Sequence, residues 1–383
     1  MSTSTHTSTE GYRNKVAAFA LEQLSTGARQ RDAESSFSRE VWSACADFGL
    51  LGLSTPARYG GEVEGVDIPR AVRAMEGFGY GSRDNGLALG LNAQLWTVML
   101  PINTFGTEAQ KERFLPPMCS GEWIGAHALT EAEAGSDVYS MQMTATPTEG
   151  GYILNGTKRY ITLGPEADVV LIFANARPKM GKWGITAFLV EKTFPGFKAG
   201  PNEHKMGLRS VPFGSIELTD CFVPTANRLG AEGAGFSIGN HSLEYDRCGI
   251  LASNLGAMAR QLEESVAYAR QRKQFGQPIG QFQSVSNRIA DMKLRLETAR
   301  LLLYNLADKK QADEPALLES SMLKLYLSES FVASSLDAIR IRGGNGYLAE
   351  TEVERDLRDA IGGIIYAGTS DIQRNIIAQL TGL

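Results

Sequence analysis

A helical period sustained through the C-terminal third narrows the fold more than any other feature of the chain. Ile250, Leu251, Leu255, Met258, Leu262, Val266 and Ala269 form one apolar stripe. Val285, Ile289, Met292, Leu296, Ala299, Leu302 and Leu303 form a second, and Leu317, Met322, Leu325, Leu327, Phe331, Leu336 and Ile339 a third. Residues three and four apart share one face of a helix. Runs of this length, parted only by turn signals, predict a C-terminal helical bundle over 229–383.

The N-terminal part reads the same way. Val16, Ala17, Phe19, Ala20 and Leu21, then Val41, Trp42, Ala44, Phe48 and Leu50, repeat at helical spacing. Gly60-Gly61, the glycines from Gly79 to Gly81, Pro101 and Pro116-Pro117 read as breaks. An α-helical domain over 1–122 follows, preceded by a polar Ser/Thr-rich tail, Met1 to Glu10, expected to be disordered. The texture changes near Gly121. Val169–Ala174, Gly184–Glu191 and Ser215–Leu218 are short β-branched or alternating runs, and Gly151–Ile161 reads as a hairpin turning at Asn155-Gly156. These predict a small β domain over 123–228. The fold class is α+β, in the order α, β, α.

With 383 residues the chain can form two or three domains with ample core. A net charge of −5 and the lack of a basic run give no reason to expect nucleic-acid binding. Cys45, Cys119, Cys221 and Cys248 are far apart and form no C-x-x-C pair. His6, His127, His204 and His241 show no metal-ligand spacing. No metal site is expected. No apolar run approaches the ~18 residues of a membrane span, and the polar N-terminus lacks a signal-peptide core, so the default expectation is cytoplasmic.

Four blocks carry chemistry. They are Gly125–Asp137 with Thr130, Gly135 and Ser136; Leu154–Thr162 with Gly156, Lys158 and Tyr160; Arg270–Ile279 with Gln283 beyond it; and Arg342-Gly-Gly-Asn-Gly-Tyr347 running to Ala367-Gly-Thr-Ser370. In this order and spacing the chain resembles the flavin-dependent acyl-CoA dehydrogenases, over nearly its whole length after residue 11. The resemblance implies the three-domain fold of that family, ending in a four-helix bundle, and FAD as cofactor. It also implies roles for particular residues. Thr130 and Thr162 are similar to those that meet the flavin edge, where a reduced anion needs hydrogen-bond donors. Tyr160 stands where the family usually has a tryptophan against the ring. Ser136 resembles a pyrophosphate contact. Arg272, Phe275 and Gln283 resemble residues that reach the FAD of a neighbouring subunit, which implies a homotetramer. A guanidinium suits a diphosphate because it offers two parallel charged donors. Arg340, where glutamine is usual, together with Gly344 and Thr369, completes the cofactor set.

The proton acceptor departs from the common pattern. Most of the family has glutamate where this chain has Ala367. Isovaleryl-CoA dehydrogenase and the carrier-protein prolyl dehydrogenases place the base instead on a helix, immediately before an arginine. Counting back from Leu255-Gly256 without gaps makes that arginine Arg247 and the preceding carboxylate Asp246. Aspartate reaches roughly 1.3–1.5 Å less far than glutamate. Glu244 is the rival, about 200° around a helix from Asp246. Arg247, Tyr366 and Ala367 are expected to line the substrate. Tyr366 is bulky where isovaleryl-CoA dehydrogenase has glycine.

The expected reaction is FAD-dependent dehydrogenation of an acyl thioester on CoA or a carrier protein. Asp246 takes the α-proton and the β-hydride passes to flavin N5. Electron-transfer flavoprotein or O2 would reoxidise the flavin. The alternatives are an oxidase of an aminoacyl group such as prolyl on a carrier protein, a flavin monooxygenase, and a non-catalytic flavin-binding protein on the same fold.

Overall fold

In the computed structural model, which describes residues 2–383, the first helices are α1 (Ser2–Phe19), α2 (Ala28–Glu34), α3 (Arg39–Asp47), α4 (Ile68–Gly81), α5 (Asn85–Asn92), α6 (Leu100–Phe105) and α7 (Glu108–Cys119). Met1 of the polar tail lies outside the described residues. Ser2–Glu10, expected to be disordered, forms the opening turns of α1. Once a helix is nucleated downstream, each added residue gains a bond without a new nucleus.

Gly60-Gly61 part the helices as expected, but other sequence breaks act differently. Gly79 and Gly81 lie inside α4. A Cβ on Gly79 would sit 1.8 Å from the Ser253 carbonyl oxygen, and one on Gly81 2.1 Å from that of Ala17. These glycines let helix backbones touch; they do not end the helix. Pro116 and Pro117 fall in the last turn of α7, which starts with a Thr107–Gln110 capping box. Between α5 and α6 the chain runs as a π-helical stretch, Ala93–Met99.

The middle holds β1 (Gly125–Ala128), β2 (Thr144–Thr148), β3 (Gly151–Thr162), β4 (Val169–Asn175), β5 (Ile185–Glu191), β6 (Phe197–Ala199), β7 (Phe213–Pro224) and β8 (Arg228–Leu229). The sheet order is β6-β7-β3-β2-β4-β5-β8, with β1 parallel to β4. The hairpin expected at Asn155-Gly156 is not there, because β3 runs through both residues. Gly156 sits at a register shift against β7, where a Cβ would press on Met143 at 2.9–3.1 Å. Asn155 is tied across the sheet to Asp220 by two hydrogen bonds. An Asn-Gly pair here marks a bulge instead of a turn.

Then come α8 (Gly235–Gln271), the small hairpin β9 (Lys273–Gln274) and β10 (Gln277–Pro278), α9 (Gln283–Gln311), α10 (Leu317–Arg342), α11 (Val353–Gly363) and α12 (Ser370–Leu380). The core is continuous from the first helices through the sheet into the bundle. Arg260 on α8 joins its parts: it donates to both carboxylate oxygens of Asp356 on α11 at 3.1 Å and to the Gly79 carbonyl at 2.8 Å. Leu262 and the stripe residues after it then lead α8 to the far end of the bundle. Among the described residues no helix is long and apolar enough to cross a membrane, and no His/Cys/Asp/Glu cluster could hold a metal.

Candidate active site

Near its start α8 passes the loop between α11 and α12. The Arg247 Nε donates to the Ala367 carbonyl oxygen at 3.1 Å. Ala367 takes a left-handed backbone (φ 53°) and Gly368 follows at φ 86°, and the Ala367 carbonyl points to α8. Gln373, fully buried on α12, donates to the carbonyls of Ala367 and Gly368 at 3.3 and 3.2 Å. The α11–α12 loop is therefore fixed to α8 at Arg247, the residue after Asp246.

Asp246 is buried, 6% exposed, and its Oδ1 has no hydrogen-bond partner. Burial pushes its carboxyl up to about 7, with Arg247 pulling the other way. A buried, unpaired carboxyl oxygen has a cost unless something fills the space it faces. The Tyr366 side chain lies close enough for the Asp246 charge to act on its hydroxyl, which burial, the largest influence, also raises. That hydroxyl accepts from Asn254 Nδ2 at 3.1 Å. Glu244 turns elsewhere: its Oε1 accepts from Lys310 Nζ on α9 at 2.5 Å. Both carboxylates lie within α8, so their side chains diverge around its axis.

A second group of residues gathers at the edge of the sheet. The Arg159 amide donates to the Thr130 carbonyl at 2.9 Å, which brings the Thr130–Ser136 loop beside Tyr160. Tyr160 breaks the β3–β7 ladder with φ 63° and stands about half exposed, stacked at 6.1 Å on Phe213. Thr162 ends β3 two residues on, and Ser136 is exposed beyond Gly135, around which there is open space.

An ion pair beneath this loop had no assigned role from sequence. Lys158 is fully buried on β3, and its Nζ donates to Glu131 Oε1 at 2.8 Å and to the Leu129 carbonyl at 2.9 Å. Glu131 also accepts from the amides of Gln142 at 2.6 Å and Met143 at 3.0 Å. Burial pulls Lys158 down to about 8, against the attraction of Glu131. Burial drives Glu131 up, but Lys158 and the two amides outweigh it and hold the carboxyl below its usual range. The pair clamps the loop carrying Thr130 and Ser136 onto β3. A Glu next to one expected site residue and a Lys two before another was the only signal for it.

The remaining residues expected at the cofactor lie at the other end of α8. Arg272 and Phe275 project from the β9–β10 hairpin, where Phe275 is 93% exposed at φ 51°. Gln283 opens α9, and Arg340 near the end of α10 pairs with Asp337 at 3.5 Å. Asp337 also binds Arg288 and Arg295 of α9, and Tyr268 of α8 meets Asn345 beside Gly344, so these segments form one cluster. Asp246 and Arg272 are separated by about 39 Å of helix rise, longer than one dinucleotide. Thr369 belongs to neither end of the cluster: it caps α12, accepting from the Ile372 amide at 3.2 Å, beside the Arg247 loop.

These residues fit FAD. An aromatic face, hydroxyls and open loop space sit at the sheet edge, and α8 carries an orphaned carboxyl oxygen at Asp246. The comparisons agree. Family models for the acyl-CoA dehydrogenase N-terminal, middle and C-terminal domains match residues 7–122, 126–221 and 233–381. The chain is 41% identical to an L-prolyl-[peptidyl-carrier protein] dehydrogenase of Pseudomonas fluorescens, covering 95% of each chain. The crystal structure of the prolyl acyl carrier protein oxidase AnaB is similar at 48% identity and TM-score 0.96, covering 98% of this chain and 99% of that one. The FAD complex of PigA is similar at 40% identity and TM-score 0.95, covering 98% of both. The chain belongs to the acyl-CoA dehydrogenase family of FAD-dependent oxidoreductases.

Proposed function

We propose that this enzyme dehydrogenates a prolyl group carried as a thioester on a carrier protein. The observation that carries the reading is the buried, unpaired Oδ1 of Asp246, beside the Arg247 that bonds the Ala367 carbonyl and close enough to act on the Tyr366 hydroxyl. Relatives that act on carrier-bound prolyl groups support the substrate. So does the polar floor of the site, where Tyr366 and Asn254 meet, which suits a ring containing nitrogen better than a branched alkyl group.

Asp246 accepts the α-proton at Oδ1, and its raised pKa lets it work near neutral pH. Arg247, anchored to the Ala367 carbonyl, stays beside the carboxylate and favours its charged form. Tyr366 closes the acyl end of the site, and its bulk limits the chain length admitted. Thr130, Ser136, Tyr160 and Thr162 hold the cofactor of this subunit, with Thr369 near the reacting end. Arg272, Phe275, Gln283, Arg340 and Gly344 hold that of a neighbour within a homotetramer. When bound, FAD supplies the two-electron acceptor for the β-hydride. The product is the α,β-unsaturated thioester, and the acceptor of the electrons is O2 or an electron-transferring flavoprotein.

The second reading is dehydrogenation of an acyl-CoA, supported by relatives such as rice isovaleryl-CoA dehydrogenase at 37% identity. Anaerobic bleaching of the flavin band separates them. Prolyl-carrier thioester is expected to bleach it within a turnover and isovaleryl-CoA to leave it. The reverse result moves the assignment to the second reading.

A further inference from the structure

The β4–β5 connection, Arg177 to Gly184, stands out from the sheet with residues 177–183 all exposed. It carries Arg177, Lys179 and Lys182 and no acid. Arg177 is neutralised by Glu232, whereas among the described residues no ion pair engages Lys179 or Lys182. Met180 and Trp183 are 50% and 52% exposed, so the patch offers apolar surface set among cations. Gly181, with φ 56° and ψ −134°, adopts a backbone that only glycine holds easily.

This patch is joined to the active site through packed rings. Lys182 lies 4.5 Å from the Phe236 ring and 5.2 Å from that of Trp183, which meets Phe236 at 5.0 Å. Phe236 packs at 4.7 Å on Tyr139, whose hydroxyl donates to Asn240 at 2.5 Å. Arg247 in turn lies near enough to act on that hydroxyl. Phe236 and Arg247 are separated by about 16 Å along α8. A partner that docks on the loop must therefore deliver its thioester on a long, thin arm.

We propose that Lys179, Met180, Lys182 and Trp183 form the docking face for the carrier protein, an acidic partner surface with an apolar centre from which a pantetheine arm reaches Asp246. The proposal rests on the carrier-thioester reading above. Cations around an apolar centre attract an acidic face and set its register, and charge complementarity acts chiefly on association. The spacing then matches the substrate: the protein docks outside and only the arm enters.

The test compares three prolyl thioesters on the intact holoenzyme at low salt: carrier-bound, pantetheine and CoA. For the double variant Lys179→Glu/Lys182→Glu, kcat/KM with the carrier is expected to fall by about tenfold or more, with the pantetheine thioester unchanged. Met180→Glu, at an exposed position, is expected to give the same pattern through the apolar centre. Equal rates for parent and variants with the carrier overturn the proposal. An equal loss with prolyl-CoA also overturns it, because the lysines then read a nucleotide phosphate. If the parent reduces flavin with none of the three, the function reading itself fails and the docking face falls with it. Flavin content and melting temperature of each variant separate docking from misfolding.

Discussion

Arg247 and Ala367, 120 residues apart in sequence, are joined by a single hydrogen bond from Nε to a main-chain carbonyl at 3.1 Å. Ala367 stands where most of the family has its carboxylate, and the residue before Arg247 carries one instead. The bond ties Ala367 to the residue next to Asp246, the candidate proton acceptor. The predictions start from this relationship.

Asp246→Asn is expected to lower the rate of flavin reduction by about 10²–10⁴-fold while FAD stays bound, since amide and carboxylate are nearly isosteric and only one accepts a proton. Glu244→Gln, which only loosens the pair with Lys310, is expected to stay near the parent rate. Stopped-flow absorbance measures both, and the opposite ranking moves the base to Glu244. Ala367→Glu in the Asp246→Asn background would restore part of the rate from the α11–α12 loop.

The pH profile follows from the carboxyl near 7. For flavin reduction, kcat/KM is expected to rise with pH up to about 7 and then level off. Stability runs the other way. The folded-state value lies above the unfolded one, so the contribution of neutral Asp246 is full below about pH 4 and lost as pH rises through about 7. Asp246→Asn should therefore gain on the parent between those limits, by a few kcal/mol at the plateau. Melting curves of the apo-proteins across pH 4–8 check this, and a constant difference contradicts it.

Lys158→Met leaves Glu131 buried without its cation. Breaking a buried pair from one side costs roughly 3–5 kcal/mol, and the loop carrying Thr130 and Ser136 loses its clamp. A lower melting temperature together with weaker FAD binding is expected. The double change Lys158→Met/Glu131→Leu should recover part of the stability, and calorimetry of the set reads the coupling.

The purified protein is expected to be yellow, with about one FAD per chain, and to lose FAD on dilution into monomers. Arg272→Ala and Phe275→Ala should weaken FAD binding without touching Asp246. Light scattering paired with flavin absorbance tests this. A monomer that keeps its FAD contradicts the shared site.

Much of this was legible in sequence because it is local. The stripes through Leu255, Leu296 and Phe331 became helices since spacing alone decides which face is buried. Asp246, the candidate acceptor, is buried on a helix whose register could be counted from Leu255-Gly256. The misreadings have a common cause, which is that glycine and asparagine act through neighbours that sequence does not reveal. Gly79 and Gly81 looked like breaks but serve close helix contacts with Ser253 and Ala17. Asn155-Gly156 looked like a turn but is fixed by Asp220 and Met143 across the sheet. Lys158–Glu131 and Tyr366–Asn254 join positions 27 and 112 residues apart, a distance at which no periodicity carries information.

Helix α8 holds Asp246, the proposed proton acceptor, near one end and, beyond its other end, Arg272, proposed to meet a neighbour's cofactor. One uninterrupted rod sets the angle between them. Inserting or deleting a single residue in its middle would turn one end against the other by about 100°. The two chemical duties would then point to different places. Such a rod should tolerate substitutions along its exposed face, yet its length in residues is locked. Any lengthening of the chain in this enzyme therefore belongs in its loops.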